Sequence, residues 1–499
     1  MDDPVVRIAG GAVRGRLEGG VAVFRGMPFA QPPVGELRFA APHPVPPWEG
    51  VREAGEFGPP PPQSRLTPIL LPPPAPYADP DDWLTINVWS PSLGGTASAS
   101  GHGALPVMVW IYGGAYRFGT AAQKSYDGRR LAERGVVIVT FNHRVGVEGF
   151  AQLPGMPANR SLLDDVAALR WVRENIAAFG GDPGNVTVFG ESAGAGAVAA
   201  LLVMPSAAGL FHHAIAQSFL GTFFSTALAA DITEAIAAAA GIPATTETFA
   251  ATGPERLAAA SDAVVTRDHP RWAQVTLSTV PFSPVIDGEV LPRAPWQALA
   301  AGTAWNVDLL TGHTRDEYRL FLELAGLRGK VTQEMADHAI DVFVSGDGEK
   351  AYRTAYPEAD PETLYELVFS DWLFRMPTLH LAQAHAAGGG RTFLYELTYS
   401  AGPLGACHGM DVPLVFGVVT ELDQFLLGSE SPEAVARLGE LMRSEWTAFA
   451  ATGDPGWTPY APGRRMTRIY DIEPDVVPYP EEASMHIWDQ HRLGRIDLR

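Results

Sequence analysis

Gly190-Glu191-Ser192-Ala193-Gly194 sets a serine between two glycines. It follows an apolar, β-branched run, Asn185–Phe189, and precedes an alanine-rich segment that reaches about Val203. A G-x-S-x-G sequence between a strand and a helix is a nucleophile elbow. The turn is too tight for side chains at its shoulders, and it lifts the serine Oγ above the sheet edge, where a helix N-terminus favours a developing anion. This is chemistry for covalent acyl transfer. The overlapping Gly194-Ala195-Gly196-Ala197-Val198-Ala199 also matches a dinucleotide fingerprint. However, the strand ends before the elbow, and no acid closes a second strand about 20 residues on. These small residues are therefore read as packing a helix onto a sheet.

Acyl transfer also needs donors for the oxygen that becomes negative. Tyr112-Gly113-Gly114-Ala115-Tyr116 follows another apolar run, Leu105–Tyr112, and its small residues would let a substrate approach the main chain. Ala193, next to the nucleophile, would add a further donor. In a fold built on such an elbow, the acid and then the base follow the serine in the chain. Asp316 and Glu317 follow the strand-like Val307–Thr311; their side chains diverge, so only one can face a histidine, and composition does not choose between them. Of the six histidines beyond Glu317, His338, His380 and His385 fall in helical stretches, and His486 and His491 lie near the C-terminus. His408 sits in a glycine-flanked loop, Gly405-Ala406-Cys407-His408-Gly409, after Arg391–Leu397. It is the candidate base. His380 and His385 are five apart and do not share a helix face, so no metal pair and no cofactor are expected. Cys407 is read as a small buried residue, because neighbouring side chains point apart.

Elements must position these groups. Val21–Phe24, Leu84–Trp89, Leu105–Tyr112, Gly135–Phe141 and Asn185–Phe189 have strand length and suit a sheet buried on both faces. Asp164–Phe179 carries helical spacing between two of them, so the expected architecture is α/β with a mainly parallel central sheet flanked by helices. Thr226–Asp268 is alanine-rich and helical in character, and a last amphipathic helix is expected from about Ser431 to Ala451. Residues 59–76 are proline-heavy, which favours an extended surface loop. No linker or repeat stands out in the 499 residues, so residues 1–499 are expected to form one domain with helical insertions.

Composition narrows the partners. The formal charge is −20 and gives a field that repels phosphate, so no nucleic acid is expected. One cysteine excludes an intramolecular disulfide and permits a reducing compartment. The first residues lack a basic region followed by an apolar one, so a cytoplasmic protein is expected. Ala193–Phe211 is weakly polar but is broken by glycines and Pro205, so no membrane span is expected. The excess of arginine over lysine, with abundant alanine, glycine and proline, reads as the codon usage of a GC-rich bacterial genome.

Further stretches carry a family resemblance. They include Phe24-Arg25-Gly26-Met27-Pro28-Phe29-Ala30, Pro32-Pro33-Val34-Gly35, Leu37-Arg38-Phe39, Asn142-His143-Arg144-Val145-Gly146, Gly180-Gly181-Asp182-Pro183 and Gly453-Asp454-Pro455. Together with the elbow, the chain resembles the type-B carboxylesterase family, which includes bacterial para-nitrobenzyl esterases and the cholinesterases. The resemblance implies an α/β-hydrolase fold and a serine carboxylesterase. It implies Ser192, Glu317 and His408 as the triad, Gly114, Ala115 and Ala193 as oxyanion donors, and Gly113, Glu191 and Ser218 as their supports. It also implies ion pairs of Arg38 with Asp81 and Arg144 with Asp164. Pro61 and Trp83 stand where the family often closes a disulfide, and Tyr318 and Phe219 stand where it often has glycine.

The implied substrate is a small ester. Tyr116, Phe118, Phe219, Phe223, Phe224, Tyr318 and Phe321 lie near the motifs and are expected to line an apolar pocket suited to an aryl group. An aryl carbamate is the nearest rival substrate, and a non-catalytic binding protein of the same fold is the rival from another class. A cholinesterase is disfavoured, because Tyr77 is the single aromatic residue between Pro61 and Trp83. A neutral histidine base predicts activity that falls as the pH drops through about 6.5. Neither the oligomeric state nor the natural ester follows from the sequence.

Overall fold

The computed structural model describes residues 3–63, 81–93, 103–265, 269–344, 346–428, 432–489, 491 and 493–498. Successive side chains along a strand point to opposite faces. In Leu105–Ile111, Val107, Val109 and Ile111 join one buried cluster, while Met108 and Trp110 join another on the opposite face. A strand that is apolar on both sides is satisfied only inside a sheet covered on both sides.

That sheet has eleven strands: β1 (Arg16–Glu18), β2 (Val21–Pro28), β3 (Thr85–Ser90), β4 (Leu105–Ile111), β5 (Val137–Phe141), β6 (Gly181–Glu191), β7 (His213–Gln217), β8 (Asp308–Thr314), β9 (Thr392–Leu397), β10 (Met466–Tyr470) and β11 (Asp475–Pro478). Their spatial order is β11-β10-β9-β8-β7-β6-β4-β5-β3-β2-β1. The run from β10 through β5 is parallel, and antiparallel strands close both edges. The chain has an α/β-hydrolase fold.

One face is covered by α1 (Arg160–Asn175) and α2 (Ala193–Leu201), whose apolar residues join the cluster of Val107 and Val109. On the other face, Trp446 and Phe449 of a long helix, Pro432–Thr452, pack with Trp110 and Phe189. The spacing in Asp164–Phe179 places α1 four residues too late. Arg160 draws its start forward by donating to the carbonyls of Val147, Glu148, Ala151 and Pro157, and Ile176–Phe179 ends it as a 3₁₀ turn. A third buried cluster joins the helical insertions, including Thr226–Ala240, Pro254–Val265 and Gln333–Phe343, to a C-terminal helix, Glu482–Trp488. The chain therefore has a further helix after the one that the sequence marks as last.

Arg144 donates to Asp164 through Nε and Nη2, at 2.9 and 2.7 Å, with both side chains buried, as the resemblance implied. Arg38 is placed otherwise: its guanidinium lies 2.5 Å from Glu148 and donates to the carbonyls of Ala250 and Thr252, so among the described residues its ion pair is with Glu148. In the proline-rich stretch, the Pro59 carbonyl accepts from Asn142, and the Gln63 side chain bonds both ways with the Gly119 backbone. Residues 64–80, with Tyr77, lie outside the described residues. Among the described residues, no helix is long and apolar enough to cross a membrane.

Candidate active site

The elbow stands at the end of β6. Ser192 has φ 58° and ψ −121°, a positive φ that a non-glycine residue adopts only when its surroundings impose it. Its N–H donates to the Gln217 carbonyl at the end of β7, and its carbonyl accepts from Gly196 and Leu220. Both flanking glycines are sterically required: a Cβ on Gly190 would lie 2.6 Å from the Gly194 backbone, and one on Gly194 would lie 2.0 Å from the Ile111 carbonyl oxygen. Gly196 makes room for the Tyr116 hydroxyl, which a Cβ there would meet at 1.9 Å. The small residues of this helix thus do the packing expected of them.

The glycine loop after β4 reaches Ser192. A Cβ on Gly113 would lie 3.0 Å from the Ser192 Cβ, and Gly114, Ala115 and Tyr116 all have positive φ. The loop closes on itself, with the N–H groups of Arg117 and Phe118 donating to the Gly114 carbonyl. Among the described residues, the N–H groups of Gly114, Ala115 and Ala193 meet no acceptor. Tyr116 and Phe118 line a narrow cleft with Gly113 and Ala193.

The structure separates the two adjacent carboxylates. Glu317 is fully buried; its Oε2 lies 2.5 Å from His408 Nδ1, and its Oε1 accepts from the Thr314 N–H. Burial pushes this carboxyl up, but His408 and Ser218 bring it below the ordinary glutamate value. Asp316 turns the other way. Its Oδ2 accepts from the Ala406 N–H, and its own N–H donates back to the Ala406 carbonyl, so it braces the loop that carries His408. Cys407 in that loop is buried, and burial foremost pushes its thiol up to about 12, which keeps it protonated.

His408 hydrogen-bonds through Nδ1 and has a carboxylate in ion-pair range of Nε2, without hydrogen-bond geometry there. Nδ1 meets Glu317, and Nε2 lies 2.9 Å from Glu191 Oε1. Among the described residues, no hydrogen bond joins Nε2 to the Ser192 hydroxyl. Burial pulls the imidazole pKa down, but the Glu191 and Glu317 carboxylates outweigh it and push the value up to about 10. Glu191, expected as a support, is in direct contact with His408.

The aromatic residues divide. Phe321 lies 5.1 Å from the His408 ring, centroid to centroid, and Tyr318 stacks on Phe369 at 4.1 Å beside it. Phe219 and Phe223 do not line the site: they are fully buried in the sheet core against Trp296. The left-handed φ of Ser218 turns the chain there, and the Phe219 N–H donates to Thr378. Phe224 is buried in the helical cluster and its strand pairs with Val285–Ile286.

Two residues near the base carry no sequence motif. Phe374 packs on the His408 ring at 4.3 Å, from an element distant in sequence. Asp411 is fully buried and accepts from the Tyr395 hydroxyl; burial first, then the Glu191 charge, pushes its carboxyl up to about 6. Its position three residues after His408 is the one signal that the sequence offers for it.

Known proteins resemble the chain over nearly its whole length. The model of the carboxylesterase family matches residues 2–476. The chain is 35% identical over 505 residues to the para-nitrobenzyl esterase of Bacillus subtilis (strain 168), covering 97% of this chain and 98% of that one. It is 34% identical to the fumonisin B1 esterase of Sphingopyxis macrogoltabida, covering 91% of this chain and 83% of that one. Among solved structures, a carboxylesterase of Geobacillus stearothermophilus aligns with a TM-score of 0.84 at 34% identity, covering 97% of this chain and 99% of that one.

Proposed function

The chain belongs to the carboxylesterase family and is a carboxylic ester hydrolase, and we propose that it works through Ser192, His408 and Glu317. The observation that carries this reading is the 2.5 Å contact between Glu317 and His408 Nδ1, with the other ring nitrogen facing the elbow at Glu191. Catalytic contacts are often loose before substrate binds. A rotation of the imidazole carries Nε2 from Glu191 to the neighbouring Ser192 hydroxyl.

His408 then takes the Ser192 proton as Oγ attacks the ester carbonyl. The N–H groups of Gly114, Ala115 and Ala193 hold the oxyanion, and each such donor is worth about 2.7–4 kcal/mol in the transition state. Glu317 stabilises the imidazolium. Nε2 returns its proton to the leaving alkoxide, and an acyl group stays on Ser192. Water, deprotonated by the same imidazole, attacks that acyl group; the acid leaves and Oγ recovers its proton.

The rings of Phe321 and Phe374 beside His408 support an apolar or aryl ester as substrate. The helical insertions packed against one eleven-stranded sheet support reading the chain as one domain with helical insertions. A panel of p-nitrophenyl esters of increasing acyl length, run beside matched aryl carbamates, tests the substrate class. Esters are expected to turn over at least about tenfold faster, as a carbamate carbonyl is less electrophilic. Faster carbamate turnover overturns the substrate reading and leaves the triad standing.

A further inference from the structure

Asp371–Arg375 forms a single π-helical turn, and all five of its residues are buried. Such turns insert an extra residue into a helix and recur at functional sites. Here the turn presents Phe374 to the His408 ring at 4.3 Å, and Phe374 stacks in turn on Phe321 at 5.8 Å with an interplanar angle of 10°.

The turn is gripped by its own last residue. Arg375 Nε lies 3.0 Å from Asp371 Oδ1, closing the turn across its ends. Its Nη2 reaches the C-terminal segment, 2.7 Å from Glu481 Oε2 and 3.1 Å from Ser484 Oγ. Asp371 is held from the same side: its Oδ2 accepts from Tyr352, whose hydroxyl oxygen accepts from the Trp488 indole. On the sheet side, Glu396 of β9 is buried near Glu481, and burial first, then the Glu481 charge, pushes its carboxyl up. A buried ion pair adds little stability over an apolar pair of the same shape. What this one adds is a fixed geometry for the turn.

We propose that Arg375, Glu481 and Ser484 are positioning residues for the reaction. By clamping the π turn to the C-terminal helix they hold Phe374 against the imidazole, and so confine the ring to the rotation that moves Nε2 between Glu191 and Ser192. Their effect reaches His408 through Phe374 and through no contact of their own with substrate. The inference rests on His408 being the base.

The test compares Glu481→Gln, Phe374→Leu and the double variant of the full chain, with p-nitrophenyl acetate as substrate. Each single variant is expected to lower kcat roughly five- to tenfold, with KM within about twofold, because a misaimed base slows chemistry without weakening binding. If Glu481 acts through Phe374, the double variant is no slower than Phe374→Leu to within about twofold, a non-additivity that a merely structural role does not give. Multiplicative losses, or a kcat for Glu481→Gln within about twofold of the parent, overturn the proposal. Ser484→Ala replaces Glu481→Gln if that variant does not fold. His408→Ala, assayed alongside, separates the two readings. Its activity at parent level refutes the triad, whereas an inactive His408→Ala with unaffected clamp variants refutes only the clamp.

Discussion

Replacing Gly194 by alanine adds one methyl group where the elbow helix crosses β4. That methyl carbon would lie 2.0 Å from the Ile111 carbonyl oxygen and 2.9 Å from the Tyr112 backbone, against 3.4 Å for the onset of ordinary contact. The nearest obstacle is backbone in the sheet centre, so the clash is relieved by moving the helix that begins at Ala193. The shortfall at Ile111 is about 1.4 Å, and a misplacement of about 1 Å at a reacting group can cost about 100-fold in rate. We therefore expect Gly194→Ala to lower kcat for p-nitrophenyl acetate by about 100-fold, with about 1–3 kcal/mol lost from stability by overpacking. Gly196→Ala is the internal comparison. Its methyl group meets first the Tyr116 hydroxyl, at 1.9 Å, and its nearest backbone contact is the Leu220 carbonyl oxygen at 3.3 Å, so a smaller loss of kcat is expected. The assay is steady-state kinetics with thermal unfolding on the same preparations. A kcat for Gly194→Ala within about threefold of the parent would refute the reasoning that this glycine fixes the position of Ser192.

Other predictions follow from the same geometry. The base must be neutral, and His408 is pushed up to about 10 by its two carboxylates, so kcat/KM is expected to rise with pH across the neutral range and level off only near that value. Glu191→Gln removes one of those charges and should move the acidic limb down by about 1–3 pH units; an unmoved limb contradicts the role assigned to Glu191. The adjacent acids should differ sharply. Glu317→Gln is expected to lower kcat by about 10⁴-fold, as when a triad acid loses its charge. Asp316→Asn, at a carboxylate that among the described residues bonds the loop backbone and Arg319, should lose far less; equal losses would undo the distinction. Asp164→Asn strands the buried Arg144 and should cost about 3–5 kcal/mol, measured as a lower unfolding midpoint.

The elbow at Ser192, the proposed nucleophile, was legible because its constraint is local: glycine spacing, strand before and helix after all lie within about 20 residues of Ser192. The parallel sheet was legible for a similar reason, since apolar β-branched runs report burial directly. The residues by themselves left Asp316 and Glu317 open, and only the family resemblance chose Glu317, because the two are told apart by a loop about 90 positions away that the Asp316 carboxylate braces. Phe374 was invisible, because a π turn far along the chain brings it to the base. Phe219 and Phe223 misled because nearness to a motif in sequence does not fix direction, and the left-handed φ at Ser218 turns them into the core. Arg38 shows the same limit: its partner Glu148 lies on a short helix after Arg144 whose placement depends on tertiary packing.

The central claim is that Ser192 is the residue that becomes acylated. The most direct measurement is stoichiometric reaction with a serine-directed organophosphate, followed by intact mass and peptide mapping. One adduct per chain on the peptide bearing Ser192, abolished in Ser192→Ala together with ester hydrolysis, is the predicted result. An adduct at another residue, or ester hydrolysis at parent level in Ser192→Ala, would contradict it.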